Sequence, residues 1–111
     1  MAKDDYFVIK YRLMKYLYEC LKKSKAANME VFDADFFSIR QEYWEYIIAN
    51  MCEDGYISSV TLFPVLGSQK QGIKISPDVR ITPKGILCLE ENSVFQRIKG
   101  AAKDIADIIP V

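Results

Sequence analysis

Residues 54–63 read Asp54-Gly55-Tyr56-Ile57-Ser58-Ser59-Val60-Thr61-Leu62-Phe63, and at Gly55 the apolar period changes. Before it, Trp44, Ile47, Ile48 and Met51 recur at the three- and four-residue spacing of a helix face. After it, Tyr56 to Phe63 is rich in β-branched and aromatic residues and reads as a strand. Glycine suits the junction, because a helix commonly ends on a left-handed residue that side chains resist. A helix that ends on a glycine and passes directly into a strand shows that the chain mixes helix and strand, and the fold class expected is α+β. The elements on either side decide which α+β arrangement is expected.

Upstream, Ser38-Ile39-Arg40-Gln41 has the spacing of a capping box, which predicts a helix from there to about Asp54. Val31 to Phe37 is short, with Asp33 placed to cap a single helical turn. The first helix is expected from Asp4 to Lys25. Asp4 and Asp5 suit its N-terminal end, and Lys22, Lys23 and Lys25 its C-terminal end. Tyr6, Ile9, Leu13, Leu17, Cys20 and Leu21 form one apolar stripe; Phe7, Tyr11, Met14 and Tyr18 form a second. A surface helix needs less apolar face than this. Either the helix is central to the core or one stripe meets a partner.

Downstream, Pro64 to Gly72 is a polar loop, and Ile73–Ser76 and Val79–Thr82 are short strands parted by a Pro77-Asp78 turn. Thr82-Pro83 supplies an N-cap followed by proline at the first helical position, so a helix is expected to about Glu91. A last helix begins near Ser93. Its Val94, Ile98, Ala101, Ile105 and Ile108 form a seam of two heptads, too short for an independent coiled coil. That helix, within residues 93–111, must pack on the domain or on a partner subunit. The expectation is one domain over residues 1–111, a winged helix-turn-helix. It has three N-terminal helices, a small antiparallel β-ribbon wing and two C-terminal helices.

Three stretches resemble a known family. Tyr11-Arg12-Leu13-Met14-Lys15-Tyr16-Leu17 is similar to the first helix of the YjcQ-like family of small bacterial and phage-associated proteins. Asp54-Gly55-Tyr56-Ile57 is similar to its helix-to-strand junction. Ile81-Thr82-Pro83-Lys84-Gly85, followed by Leu89, Glu90, Glu91 and Asn92, is similar to its strand-to-helix junction. The resemblance covers nearly the whole chain, with a longer wing around Pro64 to Gly72. It implies a winged-helix fold and supplies no activity, ligand or catalytic residue.

Composition narrows the function. A chain of 111 residues, half of them apolar, can bury one core without staples. The polar start Met1-Ala2-Lys3-Asp4-Asp5 has neither signal- nor transit-peptide character, so a cytoplasmic protein is expected. No apolar run approaches the roughly 18 residues of a membrane span. Cys20, Cys52 and Cys88 are too far apart in sequence for a metal or redox motif and are read as reduced packing residues. Histidine is absent, which removes Ser-His and Cys-His nucleophiles, His-ligated zinc and the commonest general base. Paired acids such as Asp33/Asp35 and Glu90/Glu91 have no complementary group nearby. The expectation is a protein that is not an enzyme, with no metal, cofactor or small-molecule substrate.

Charge is zero overall but unevenly spread. Residues 3–25 carry seven basic and three acidic groups, net +4; residues 26–54 carry one and seven, net −6. Residues 55–89 carry four and one, net +3; residues 90–111 carry three and four, net −1. Gly67 and Gly72 have the spacing of a phosphate-binding P-loop, but Ile73 replaces the required lysine and no helix follows. As a wing, that loop offers Gln69, Lys70 and Lys74 to a phosphate backbone.

The helix in the recognition position begins with Arg40 and Gln41, types that can read base edges. It then carries Glu42, Glu45, Glu53 and Asp54, which repel phosphates. Double-stranded DNA is therefore expected to meet the wing and the basic first helix, including Lys10, with Arg40 and Gln41 as further contacts. By the family resemblance, the protein would be a phage- or prophage-associated regulator. The alternative is an interaction or dimerisation module without DNA binding. Tyr11, Met14, Tyr18, Ile98 and Ile105 would then line the interface between copies or with a protein partner.

Overall fold

The computed structural model describes residues 2–67 and 71–101. Helices α1 (Tyr6–Lys22) and α2 (Gln41–Glu53) come first, followed by strands β1 (Ile57–Pro64) and β2 (Gln71–Ile81), then helices α3 (Pro83–Glu91) and α4 (Ser93–Ala101). The strands form a two-stranded antiparallel sheet. The architecture is α+β, with four helices among the described residues rather than the five expected.

The missing helix is the single turn predicted around Asp33. The segment is instead a chain of turns, with backbone bonds from Val31 to Asn28, Phe37 to Ala34 and Ser38 to Asp35. The Asp33 carboxylate accepts from the Asp35 amide at 3.4 Å, a local Asx-type contact that competes with helix. Packing favours this path. Val31, Phe32, Ala34 and Phe37 are all buried, with the Phe32 and Phe37 rings 5.2 and 5.9 Å from Trp44. The expected capping box is not formed either. Ser38 is left-handed at φ 55°, so α2 begins later, with Arg40 in the cap position and no side-chain cap.

Helix α1 is central to the core, which encloses most of both stripes and leaves Phe7 and Leu21 exposed. Val8, Ile9, Leu13, Met14 and Leu17 are buried, and Tyr11 of the second stripe packs 5.7 Å from Phe95 of α4. The helix contacts α2, β2, α3 and α4. Its ends fall short of the expected Asp4 and Lys25 at Tyr6 and Lys22. Helix α4 packs on the same core through Phe95 and Ile98, its start capped by the Asn92 side chain, which accepts from the Val94 amide at 2.9 Å. The seam positions Ile105 and Ile108 lie outside the described residues.

Two junctions hold the ribbon to the helices. Gly55, at φ 78°, ends α2 while Tyr56 and Gly55 donate back to the carbonyls of Met51 and Cys52. Those are the paired bonds that satisfy a helix's last carbonyls. Across the sheet, Ile57 faces Ile81. Thr82 then caps α3 by accepting from the Gly85 amide at 3.1 Å, with Pro83 at the first position. Gly85 is required for close approach, since a Cβ there would lie 2.4 Å from the Tyr56 carbonyl oxygen.

The two short strands expected after the loop are one strand with a bulge. Ser58 faces Arg80 but Val60 faces Ile75, so residues 76–79 loop out opposite Ser59, itself at φ 66°. Pro77 has no amide to give the ladder, and the Asp78 amide turns to the Ser76 hydroxyl at 3.2 Å. Among the described residues no helix is long and apolar enough to cross a membrane.

Candidate nucleic-acid interface

The start and the body of α2 differ in charge. Arg40 and Gln41 are exposed at its N-terminus, where the helix's own partial charge is positive. The Gln41 side chain donates to the Glu45 carboxylate at 3.4 Å. Further along, Glu42, Glu53 and Asp54 are exposed and Glu45 is half-buried. Tyr46 is 61% exposed on the same helix. Its ring lies 6.0 Å from Tyr6, which in turn meets Phe7 at 5.1 Å. The Tyr6 phenol is held above its ordinary pKa by burial first and by the charge of Asp54 second. An aromatic ridge thus crosses from α1 to α2 beside carboxylates.

The ribbon has two unlike faces. Val60 with Ile75 and Leu62 with Ile73 pair on the inner, half-buried side. Thr61 pairs with Lys74 on the other, and both are exposed. Nearer the core, exposed Arg80 faces exposed Ser58. The far end is apolar: Phe63 and Val65 are exposed, and Leu66 is fully so. Gln69 and Lys70 lie outside the described residues.

Lys10 is not at a surface. It is 6% exposed, its ammonium 4.5 Å from the Tyr56 ring centre and 5.8–5.9 Å from those of Tyr6, Phe7 and Phe95. The contact expected between Lys10 and DNA is therefore corrected. Its position carries the signal, since Lys10 falls three or four residues from Tyr6, Phe7, Leu13 and Met14, along the apolar face. Arg12 is also buried, at 5% exposure, stacked 4.6 Å from the Phe37 ring centre.

Of the residues expected between copies, Tyr11, Met14 and Ile98 are enclosed in the chain's own core. Tyr18 is half-buried beside Lys22, whose ammonium lies 4.6 Å from its ring centre. Ile105 is outside the described residues. The structure instead brings Lys15, Lys22 and Lys99 around a groove of about 370 Å³ between α1, α3 and α4, with Tyr18, Gln96 and Glu90 in its walls. Lys99 is far from the other two in sequence, so only the fold reveals the group. Glu19 holds Lys22 at 2.7 Å and Lys15 at 3.5 Å. Cys20, Cys52 and Cys88 are free thiols. Among the described residues no three His, Cys, Asp or Glu side chains are grouped to hold a metal ion.

The sequence model of one family, described as YjcQ protein, matches residues 11–108. No curated protein and no solved structure matches the chain.

Proposed function

The chain belongs to the YjcQ family, and from that premise we propose that it is a non-catalytic winged-helix protein that binds double-stranded DNA in a regulatory role. In this reading α2 occupies the recognition position and the β1–β2 ribbon is the wing. The observation that carries it is the exposed Arg40 at the start of α2, where no side chain caps the helix. Helix N-termini attract phosphate oxygens through unpaired amides and the helix dipole. Exposed Lys74 on the wing adds a second cation. The acidic body of α2 is turned from the backbone, so the duplex meets the helix end-on and the wing along its outer face. The test is an amide-resolved NMR titration with a short duplex. Perturbations centred on Arg40, Gln41, Thr61 and Lys74 support the reading; perturbations confined to Tyr46 and Glu53 overturn this geometry.

A second reading, docking of a protein with a basic surface, is favoured by the exposed ridge of Phe7 and Tyr46 beside Glu42, Glu53 and Asp54. Exposed aromatics with a charged rim are typical of protein interfaces. A lysine- and arginine-rich peptide that binds the wild type and is lost in Tyr46→Ala supports this face as the primary site. Equal binding by the variant counts against it.

A further inference from the structure

We propose that the cleft at the foot of α1 is a binding site for a terminal phosphate group, with Arg12 at its base. The cleft has a volume of about 300 Å³ and is lined by Lys3 and Asp4 ahead of α1, Arg12 on α1, and Phe36, Phe37 and Ser38 of the turn segment. Arg12 is 5% exposed, and its Nε is buried with no hydrogen-bond partner. The ion pairs of Glu19 with Lys15 and Lys22 do not involve Arg12. Stacking on Phe37 covers one face of the guanidinium and leaves the in-plane Nε–H without a partner.

A guanidinium taken out of water without a counter-charge is costly, and an oxyanion is the group whose geometry its donor fork fits. Burial also lowers the Arg12 pKa from its ordinary value, in keeping with a charge lacking compensation. Three details choose the class of anion. Lys3 is a second cation on the rim and Ser38 an exposed hydroxyl, so a dianion is matched better than a single carboxylate. Arg12 is buried while Lys3 and Ser38 are exposed, so a phosphate bearing one substituent fits the cleft better than a backbone diester, substituted on both sides. Asp4 lines the cleft without pairing to Arg12, so its carboxylate opposes an incoming anion.

The inference does not rest on DNA binding, and its test contains no duplex. Inorganic phosphate is titrated into the full chain and followed by amide and guanidinium NMR signals, with acetate and chloride at matched ionic strength as controls. The expected result is saturable movement of Arg12 Nε–H and of residues 36–38, with a dissociation constant in the range of about 1–10 mM. Acetate should bind more weakly and chloride not at all. Lys3→Ala should weaken binding about threefold or more and Asp4→Asn tighten it, the scale expected for charges near a protein surface. Arg12→Met, similar in length and apolar, should lose the response while melting no lower than the wild type. Acetate binding as tightly as phosphate, the same response in Arg12→Met, or no saturable shift each overturns the proposal. Lys3→Ala and Asp4→Asn alter only exposed residues, so they decide the matter even if Arg12→Met does not fold.

Discussion

The hydroxyl of Thr82 donates a hydrogen bond to the carbonyl of Gly55 at 2.5 Å while accepting one from the Gly85 amide at 3.1 Å. One side chain thus ties the end of α2 to the start of α3, 27 residues further along the chain. The two junctions that read separately in the sequence meet in space at this hydroxyl. Thr82→Ala removes the cap and the tie together and should cost about 1–2 kcal/mol, by the usual worth of a cap and of a hydrogen bond. Thr82→Ser should retain most of that stability. Urea unfolding of the two variants is the check.

Gly85→Ala acts at the same junction through sterics. The added methyl would meet the Tyr56 carbonyl, backbone that cannot step aside as a side chain can. A loss of about 1–3 kcal/mol, the cost of overpacking, is expected. A variant as stable as the wild type would mean that α3 slides freely along the ribbon.

Lys10→Met tests the aromatic enclosure. The ammonium gains cation–π attraction, worth about 2 kcal/mol when desolvated, but loses hydration. Methionine keeps the volume and the contact with the rings. Stability should change by less than about 1 kcal/mol, since the two terms oppose each other. Duplex affinity should be unchanged, since the charge does not reach the surface. Anisotropy titrations of variant and wild type with one labelled duplex measure this. A clear loss of affinity would return Lys10 to the interface.

Cys52 should alkylate more slowly than an unburied thiol in the native protein. Burial foremost, then the charge of Glu53, raises its pKa. The thiolate that reacts is therefore scarcer at a given pH, and its rate profile is displaced to higher pH. Mass-spectrometric alkylation profiles of native and urea-unfolded protein should show this displacement for Cys52 in the native state alone.

These relationships explain what was legible in the sequence. Gly55 and Thr82-Pro83 were readable because local geometry fixes them: a left-handed stop, and a hydroxyl and proline at a helix start. The order of elements followed from the same signals. Ser38 misled because its spacing to Gln41 satisfied a local rule, whereas burial of Phe32 and Phe37 against Trp44 set the path of that segment. Lys10 misled in a related way. Its charge implied a surface, while its helical position placed it on the buried face. The groove of Lys15, Lys22 and Lys99 and the cleft at Arg12 bring together residues from separate elements, and no local pattern encodes them.

Neutralisation of duplex phosphates by the start of α2 and the wing, as proposed, is tested by the affinity for one mixed-sequence duplex over a series of salt concentrations. Binding is expected at about 50 mM salt and should fall linearly in log–log form as salt rises. Arg40→Ala and Lys74→Ala should each lower the slope by about one, the signature of one lost phosphate contact. No measurable binding at about 50 mM salt, or slopes unchanged in both variants, would contradict it.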